Sequence, residues 1–387
     1  MNATEIIQLL PDKLLSDLAI ETRVNKYSKK LQGETIFKLL LYCVLSYKDN
    51  SLRRMECAYE SIAFRLLNSQ IAGKIKFNSI SERLSIINAS YFQRLYEASI
   101  ATFYPLFSEA EHQLIRFDST IVAQSCKLLK IGYQLKGDAA NHKLLKFTIG
   151  YSCLPTSVHF FCQQTYNSEN VALKEAILSY EDNNQTSIKI FDKGITSRKT
   201  YDELTEQNIL FVSKINTNSK CLIHQQNILE TPIETDTLLI TEDNLVYYYT
   251  QFSRGKYPLR CIKSTSKATH ETILFITNIK EMSCEEITTI YKSRWQIEIF
   301  FKFIKQELNF NHLLNRSENG IKVMLYITMI ASILLLVYKK KNNLKGYKIL
   351  KQKFIQDLER ELVRNFVILC DGNIEKVNQF LYSYNTT

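Results

Sequence analysis

Four polar residues recur at helical spacing between residues 284 and 312, a stretch otherwise rich in apolar and aromatic side chains. They are Tyr291, Arg294, Glu298 and Lys305. At about 100° per residue on an α-helix, their positions fall within roughly 60° of one another. The pattern predicts a stripe in which a carboxylate lies between cations. An ion-pair ladder of Arg294 and Glu298 explains such a stripe without any function, and a site for phosphate or metal is the alternative.

The same stretch is predicted to be one long helix, buried on most sides. Ser283 and Glu286 have the spacing of a capping box, and the acidic first turn suits the positive end of the helix dipole. Asn309 and Asn311 are expected to end the helix. Trp295 and the neighbouring isoleucines and phenylalanines cover the other faces.

Two aspartates accompany predicted strands. Asp118 lies in the middle of 114–122, whose β-branched and aromatic residues predict a strand, and Asp192 follows the short apolar run 187–191. Aspartate is unfavourable within a strand, and an aspartate shortly before glycine is a common turn former. Each position therefore has a structural explanation beside a catalytic one.

The spacing Tyr, two residues, Arg, three residues, Glu, six residues, Lys resembles the signature of the DDE transposases of the IS-four insertion-sequence family. The sequence Asp118-Ser119-Thr120 is similar to the first catalytic motif of that family, D-S/G-T. Asp192-Lys193-Gly194 is similar to its D-x-G motif, although Ile195 replaces the aromatic residue often found next. The resemblance implies that Asp118, Asp192 and Glu298 are the catalytic carboxylates.

The resemblance also implies a chemistry and its partners. Three carboxylates suit a site for two Mg²⁺ ions, with Mn²⁺ as a substitute. Cleavage at such a site would expose a 3′ hydroxyl, and the same site would then direct that hydroxyl to another phosphodiester bond. Tyr291, Arg294 and Lys305 would bind DNA phosphates, and Trp295 is a further candidate for DNA binding. The expected partners are double-stranded DNA, at the terminal inverted repeats and the target, and a second copy in a synaptic homodimer.

The expected fold is mixed α/β. We predict a helical DNA-end-binding domain at 1–110, a ribonuclease-H-like catalytic domain at 111–338 with a β-rich insertion at about 209–278, and a basic helical tail at 339–387. The predicted helices are 6–18, 35–46, 52–67, 80–103, 170–179, 197–207 and 355–369. The predicted strands are 114–122, 143–152, 157–164, 187–191, 209–215, 238–242, 245–252, 259–263 and 272–277.

A net charge of +10 and a pI near 9.0 indicate a polyanionic partner. The candidate DNA contacts are Arg53, Arg54, Arg65, Lys74, Lys76 and Arg83, the insertion residues Tyr247, Tyr248, Tyr249, Arg254, Lys256 and Arg260, and seven lysines between 339 and 353. Ordinary packing is the alternative for the first two groups, and a solvated face is the alternative for the lysines. The apolar run 323–338 is expected to be a buried core helix because it is short for a membrane span. The nine cysteines are expected to be reduced core residues of a cytoplasmic, nucleoid-associated bacterial protein.

Two other functions remain open from the sequence. A nuclease of the same fold would cut DNA without joining it, and a domesticated transposase would bind DNA without catalysis. The sequence has neither a GxxxxGK[ST] nor a GxGxxG loop, so no nucleotide cofactor is expected.

Overall fold

A computed structural model describes residues 1–68, 73–107, 113–125, 129, 131–134, 141–181, 187–227, 229–249 and 254–382. The chain divides into two compact units. The first comprises 1–107, 127–131 and 302–387, and the second comprises 108–126 and 132–301. Cys126 and the strand positions predicted at 250–252 lie outside the described residues.

Within the described ranges, the chain forms the following elements. The helices are α1 (Ala3–Gln8), α2 (Asp12–Glu21), α3 (Gly33–Ser46), α4 (Leu52–Glu60), α5 (Ile62–Leu67), α6 (Phe77–Ile86), α7 (Ala89–Phe103), α8 (Glu169–Leu178), α9 (Arg198–Glu206), α10 (Cys284–Lys292), α11 (Trp295–Glu307), α12 (Glu318–Lys341), α13 (Leu350–Leu369) and α14 (Ile374–Tyr382). The strands are β1 (Leu114–Ser125), β2 (His142–Tyr151), β3 (Pro155–Phe161), β4 (Ile188–Phe191), β5 (Phe211–Ile215), β6 (Cys221–Asn227), β7 (Ile233–Glu234), β8 (Leu238–Tyr248), β9 (Leu259–Ser266) and β10 (Thr272–Thr277).

The first unit is helical and is built around α12. This helix is apolar on nearly every face and packs against α3, α6 and α7. Asn315 and Asn319 attach its start to α6, because their amides donate to the carbonyls of Ser81 (2.9 Å) and Leu84 (3.0 Å). The most apolar window of α12 is long enough to span a membrane but is 83% buried. The buried core helix expected at 323–338 is therefore observed.

The compact units divide the chain differently from the expected domains. Residues 302–338 were assigned to the catalytic part, whereas α12 packs with the helices of 1–107. The physical reason is that a helix that is apolar all round must be covered on every side, and the N-terminal helices supply apolar faces. The DNA-end-binding role expected for 1–110 remains a prediction.

Several predicted helices of 1–110 are interrupted in the structure. The segment 6–18 breaks at Pro11, 52–67 breaks at Ser61, and α6 ends before Asn88 begins α7. Ser79 and Glu82 have the spacing of a capping box at the start of the predicted helix 80–103, but Ser79 lies inside α6, which begins at Phe77. Short helices meeting at these breaks let several faces pack around α12.

The second unit contains one sheet, ordered β3-β2-β1-β4-β5-β10-β9-β8-β6, with β7 paired to β8, in the described residues. Strands β1 to β3 form an antiparallel meander, and β4 pairs in parallel with both β1 and β5. The return of the strand at 187–191 beside the first strand is as expected. Buried side chains from β1, α8 and α9 cover one face of the sheet, and those from β10 and α10 cover the other.

The residues of the expected insertion extend this same sheet. Strand β5 pairs with β4, and β10, β9, β8 and β6 continue outward from β5. Two predicted strands, 238–242 and 245–252, are one strand, β8, with a register shift between Ile240 and Glu242. Strand β6 was not predicted because its residues are mostly polar and exposed.

Candidate active site

The two candidate aspartates lie side by side in the sheet. Strands β1 and β4 are parallel, with Phe117 opposite Phe191, so Asp118 on β1 and Asp192, which directly follows β4, come next along each chain segment. Adjacent strands are about 4.8 Å apart, which brings the two backbones close at the carboxyl end of β4. The carboxyl ends of parallel strands are where α/β sheets commonly bind ligands.

Arg294 connects two of the candidate carboxylates. Its Nη2 donates to Glu298 Oε1, and its Nη1 lies 3.8 Å from Asp118 Oδ2. The Arg294 side chain is only 14% exposed, whereas those of Asp118 and Glu298 are 31% and 32% exposed. The ion-pair ladder considered from the sequence is thus present, and it also includes an aspartate from the sheet.

Tyr291 reaches the third candidate carboxylate. Its hydroxyl donates to Asp192 Oδ1 at 2.9 Å. The ammonium of Lys214, on β5, lies 4.8 Å from the centre of the Tyr291 ring. Lys214 was not singled out from the sequence, since a lone lysine in a strand carries no signal of its position beside Asp192.

The two aspartates differ in acidity. Burial raises the pKa of Asp118 to about 6, with a further increase from the charges of Glu169 and Glu298, against the effects of the Ser119 amide and Arg294. Burial also acts to raise the pKa of Asp192, but the Lys193 amide, the Tyr291 hydroxyl, Arg294 and Lys214 together hold it below its usual value. At neutral pH both groups are therefore carboxylates, and Asp118 is the more easily protonated.

The predicted long helix is in fact two helices, α10 and α11, separated at Ser293 and Arg294. The capping box of Ser283 and Glu286 is confirmed at the start of α10. The break has a cause in β1. The guanidinium of Arg116 donates to the Ser293 carbonyl at 2.8 Å, and Ile297 N–H bonds instead to the Arg294 carbonyl at 3.1 Å.

The break sets the direction of the residues on either side. Arg116 is buried and also donates to the Ser293 hydroxyl, at 3.0 Å from Nη2. Tyr291 lies on α10 and Glu298 on α11, so the turn between them orients both toward the two aspartates. Arg116 could not be identified from the sequence, because its partner is 177 residues away.

A charged network supports the strand that carries Asp118. Glu169, at the start of α8, accepts from the Ser119 hydroxyl (3.1 Å) and from the fully buried ammonium of Lys146 (2.9 Å). A Cβ atom at Gly194 would lie 3.1 Å from Glu169 Cβ. A side chain two residues after Asp192 would therefore crowd Glu169 and Leu173, so packing favours glycine in the D-x-G pattern.

Two predicted site residues are not shown at this cluster. Trp295 is 62% exposed at the start of α11. Lys305 lies seven positions after Glu298 on α11, which is about two helical turns, so it shares the helical face of Glu298. The two compact units divide between Phe301 and Lys302, so Lys305 belongs to the first unit and Glu298 to the second. The roles of Trp295 and Lys305 stay predictions.

Several candidate DNA contacts have structural roles instead. Arg83 is buried and donates to the Leu31 carbonyl at 2.9 Å, and Arg260 is buried in an ion pair with Asp243 at 2.8 Å. Tyr248 is buried in the sheet core. Lys351 is also buried. Packing, the alternative left open from the sequence, therefore describes Arg83, Tyr248 and Arg260, and Lys351 does not belong to a solvated face.

Only some of the cysteines are core residues, whereas all nine were expected to be. Cys43, Cys261 and Cys284 are buried and free. Cys57, Cys221 and Cys370 are also free but exposed, so they are not core residues.

The carboxylates fit a divalent cation by their chemistry. Oxygen donors of this kind are the ligands that Mg²⁺ and Mn²⁺ take in proteins. In the described ranges, no group of three His, Cys, Asp or Glu side chains is already arranged to hold a metal. Arg294 stands between Asp118 and Glu298, so a cation would have to compete with its guanidinium.

A family model described as a transposase DDE domain matches residues 111–334, more than half of the chain. A putative transposase, y4zB, from Sinorhizobium fredii is 29% identical over 156 residues, which are 40% of this chain and 43% of the relative. A probable transposase for insertion sequence element IS5377 from Geobacillus stearothermophilus is 28% identical over 162 residues, or 39% of each chain.

A third relative is matched over a longer stretch. The putative transposase for insertion sequence element IS4SA from Synechocystis sp. is 25% identical over 236 residues, covering 59% of this chain and 60% of the relative. The matches thus span between about two fifths and three fifths of the relatives. With the family model covering most of the sheet and the cluster around Arg294, the chain belongs to the transposase DDE domain family.

Proposed function

We propose that this protein is a DNA transposase that cuts phosphodiester bonds at the ends of an insertion sequence and joins the freed 3′ hydroxyl to target DNA. The observation that carries the proposal is a cluster in which Arg294 contacts Asp118 of β1 and Glu298 of α11, while the Tyr291 hydroxyl donates to Asp192, which directly follows β4. Membership of the DDE domain family supports the same activity. The strand order 3-2-1-4-5 of the meander, β4 and β5 supports a ribonuclease-H-like core.

Asp118, Asp192 and Glu298 would hold the metal. The family is generally dependent on a divalent metal, and we propose two Mg²⁺ ions, replaceable by Mn²⁺. Bound ions of this kind activate water and stabilise the charge on the attacking and leaving oxygens. The raised pKa of Asp118 means that this group must lose a proton before it can serve as a ligand near pH 6.

Arg294 and Tyr291 would act on the DNA. Arg294 neutralises Asp118 and Glu298 in the absence of a cation, and a phosphate brought into the site offers its guanidinium a bidentate acceptor. The Tyr291 hydroxyl holds Asp192 in place. Lys214 adds positive charge beside that aspartate, where it can offset charge that develops on phosphate oxygens.

The partners follow from the activity. We propose that the protein binds double-stranded DNA at terminal inverted repeats and at a target site, in the bacterial cytoplasm, and that two copies form the synaptic complex. Lys305 and Trp295 would contact DNA from α11, and residues 1–110 would contact the element end.

A strand-transfer assay tests this function. Inverted repeats in the DNA flanking the gene would supply a labelled end, which is incubated with the full chain, Mg²⁺ and a plasmid target. A transposase gives a joined product. Cutting without joining would identify a nuclease, and DNA binding without cutting would identify a protein that has lost catalysis.

A further inference from the structure

A groove of about 560 Å³, with charged, polar and apolar lining residues, begins at Lys193 in the second unit. Its sides come from the loop that leads from β4 into α9 and from the loop that joins β5 to β6. The lining residues are Lys193, Ile195, Thr196, Arg198, Ile215, Asn216, Asn218, Ser219, Lys220 and Tyr249. Three of them are cations and none is acidic, which favours an anionic ligand.

The three cations are without ion-pair partners among the described residues. Lys193 and Lys220 are exposed, and Arg198 is half-buried with its Nε atom buried and unbonded. Elsewhere in the same unit, lysines pair closely with glutamates: Lys174 with Glu203 (2.5 Å), Lys256 with Glu206 (2.7 Å) and Lys263 with Glu242 (2.5 Å). The groove therefore concentrates positive charge that the fold itself does not neutralise.

The groove is held in shape by contacts that leave its polar atoms available. Asn170 Oδ1 accepts from the amides of Thr196 (2.6 Å) and Ser197 (3.0 Å), which fixes one wall. Tyr249 N–H donates to the Lys220 carbonyl at 3.1 Å, which fixes the other. Arg198 donates to the Thr196 carbonyl at 2.5 Å and faces the Tyr248 ring at 5.7 Å, so its guanidinium is oriented in advance.

The groove begins at the candidate active site. Lys193 directly follows Asp192, and the Ser213 hydroxyl on β5 lies 3.4 Å from the Asp192 carbonyl. The buried side chains of Ile195 and Ile215 form the floor. These two side chains belong to the face of the sheet that α8 and α9 cover, whereas Tyr291 contacts Asp192 from the α10 face, so a DNA strand would pass over the carboxyl end of β4 to reach both the carboxylates and the groove.

We propose that this groove binds the phosphodiester backbone of the DNA strand that extends from the reacting phosphate. Lys193, Arg198 and Lys220 contact successive phosphates, the side chains of Asn216, Asn218 and Ser219 donate to phosphate or sugar oxygens, and the Tyr249 ring offers a surface for a base or sugar. The inference deepens the proposed function and depends on it, because the strand is taken to reach the site through Asp192.

The test measures the salt dependence of DNA binding by fluorescence anisotropy with a short labelled duplex of arbitrary sequence. The full chain carries Lys193→Gln and Lys220→Gln, and its matched control carries Lys199→Gln and Lys280→Gln, two exposed lysines of the same unit outside the groove. Each lost phosphate contact lowers the slope of log Kd against log [KCl] by about 1. We expect a decrease of about 2 for the groove variant and less than about half of that for the control.

Three outcomes would overturn the inference. In the first, the groove variant keeps the wild-type slope of log Kd against log [KCl], and in the second, both variants show the same decrease in that slope. In the third, inorganic phosphate at matched ionic strength competes as well as DNA, which would indicate a site for a free anion. Circular dichroism and unfolding curves check that both variants are folded. If the wild-type chain cuts and joins DNA but the groove variant binds normally, the groove assignment alone fails, whereas a wild type that binds DNA without cutting contradicts the proposed function.

Discussion

Asp118 is the residue whose protonation should control activity. Its pKa of about 6 means that a proton competes with a metal ion for this carboxylate in mildly acidic solution. We expect the rate of DNA cleavage at limiting Mg²⁺ to fall about tenfold for each pH unit below 6 and to level off above about 7. Single-turnover cleavage over this range measures the profile. A rate independent of pH from 5 to 7 would contradict the role of Asp118.

The two aspartates should affect stability in opposite directions without metal. A raised folded-state pKa means that the native state binds the Asp118 proton more tightly than the unfolded chain does, so unfolding free energy falls as pH rises from about 4 to about 6. Asp118→Asn should therefore stabilise the protein at pH 7.5, by about 1 to 2 kcal/mol after allowance for partial exposure. Asp192, with a lowered pKa, contributes stability that is lost on acidification, so Asp192→Asn should destabilise.

Urea unfolding in EDTA measures both effects. At pH 4 the benefit of Asp118→Asn should shrink, because the native carboxyl is then protonated. A destabilised Asp118→Asn variant at pH 7.5 would show that its contact with Arg294 outweighs the cost of burial.

Arg294 should compete with the metal. Its guanidinium pairs with Glu298 and Asp118, so a divalent cation can use these carboxylates only after that contact is exchanged. We expect Arg294→Gln to bind Mn²⁺ about tenfold more tightly without DNA, a difference of about 1.4 kcal/mol, and to cut DNA much more slowly. Paramagnetic resonance of free Mn²⁺ measures the affinity. Lys292→Gln, an exposed neighbour with the same charge change, should bind Mn²⁺ as the wild type does.

At the scale of elements, the turn between α10 and α11 places the site residues. Arg116 donates to the Ser293 carbonyl, which also accepts from the Gln296 amide, and to the Ser152 carbonyl, so Arg116→Met should remove these charged hydrogen bonds and let the two helices realign. A hydrogen bond to a charged group contributes about 1.5 to 3 kcal/mol. We expect a loss of at least about 2 kcal/mol in unfolding free energy and of about a hundredfold or more in cleavage.

Ser293→Ala separates the two contributions of that turn. It removes the hydroxyl that accepts from Arg116 but keeps the carbonyl contact, so its stability should fall by only about 1 kcal/mol with most activity retained. Cleavage equal to wild type in Arg116→Met would mean that the break does not depend on Arg116.

Local patterns in the sequence identified most strands of the sheet and the position of each candidate carboxylate within its element. Strand β10 was predicted with its observed limits, and the capping box at Ser283 was also correct. The interruption at Ser293 and the buried roles of Arg83 and Arg260 were missed, because each depends on a partner distant in sequence. Polar β6 has no hydrophobic alternation, so only its pairing with β8 reveals a strand.

At the scale of the whole molecule, the first unit joins the first helix, α1, to α13 through residues that lie 354 positions apart in the sequence. The amide of Ala3, at the start of α1, donates to Asp357 on α13 at 2.8 Å. Lys351, on α13, donates to the carbonyls of Tyr47 (2.7 Å) at the end of α3 and Glu307 (2.8 Å) at the end of α11. The C-terminal residues therefore complete the helical unit rather than forming a separate tail.

The structural role of Lys351, which connects α13 to the ends of α3 and α11, can be tested. Burial lowers its pKa to about 8, although Glu307 and Asp49 act to raise it, so the charged form costs stability that is recovered as pH rises from about 8 to 10.5. Either protonation state has hydrogens for both carbonyls. Lys351→Met should leave both carbonyls unpaired and lower the unfolding free energy by about 2 to 4 kcal/mol at pH 7. Exposed Lys353→Met should change it by less than about 0.5 kcal/mol.

Unfolding and DNA-binding measurements on Lys351→Met distinguish a structural lysine from a DNA-binding one. If Lys351 served DNA, Lys351→Met would reduce the salt slope of DNA binding and leave thermal and urea unfolding unchanged. A structural role predicts the reverse, because a lysine buried inside the unit has no phosphate to contact. The wild-type unfolding free energy should also rise between pH 8 and 10 relative to Lys351→Met, since only the wild type carries the buried ammonium.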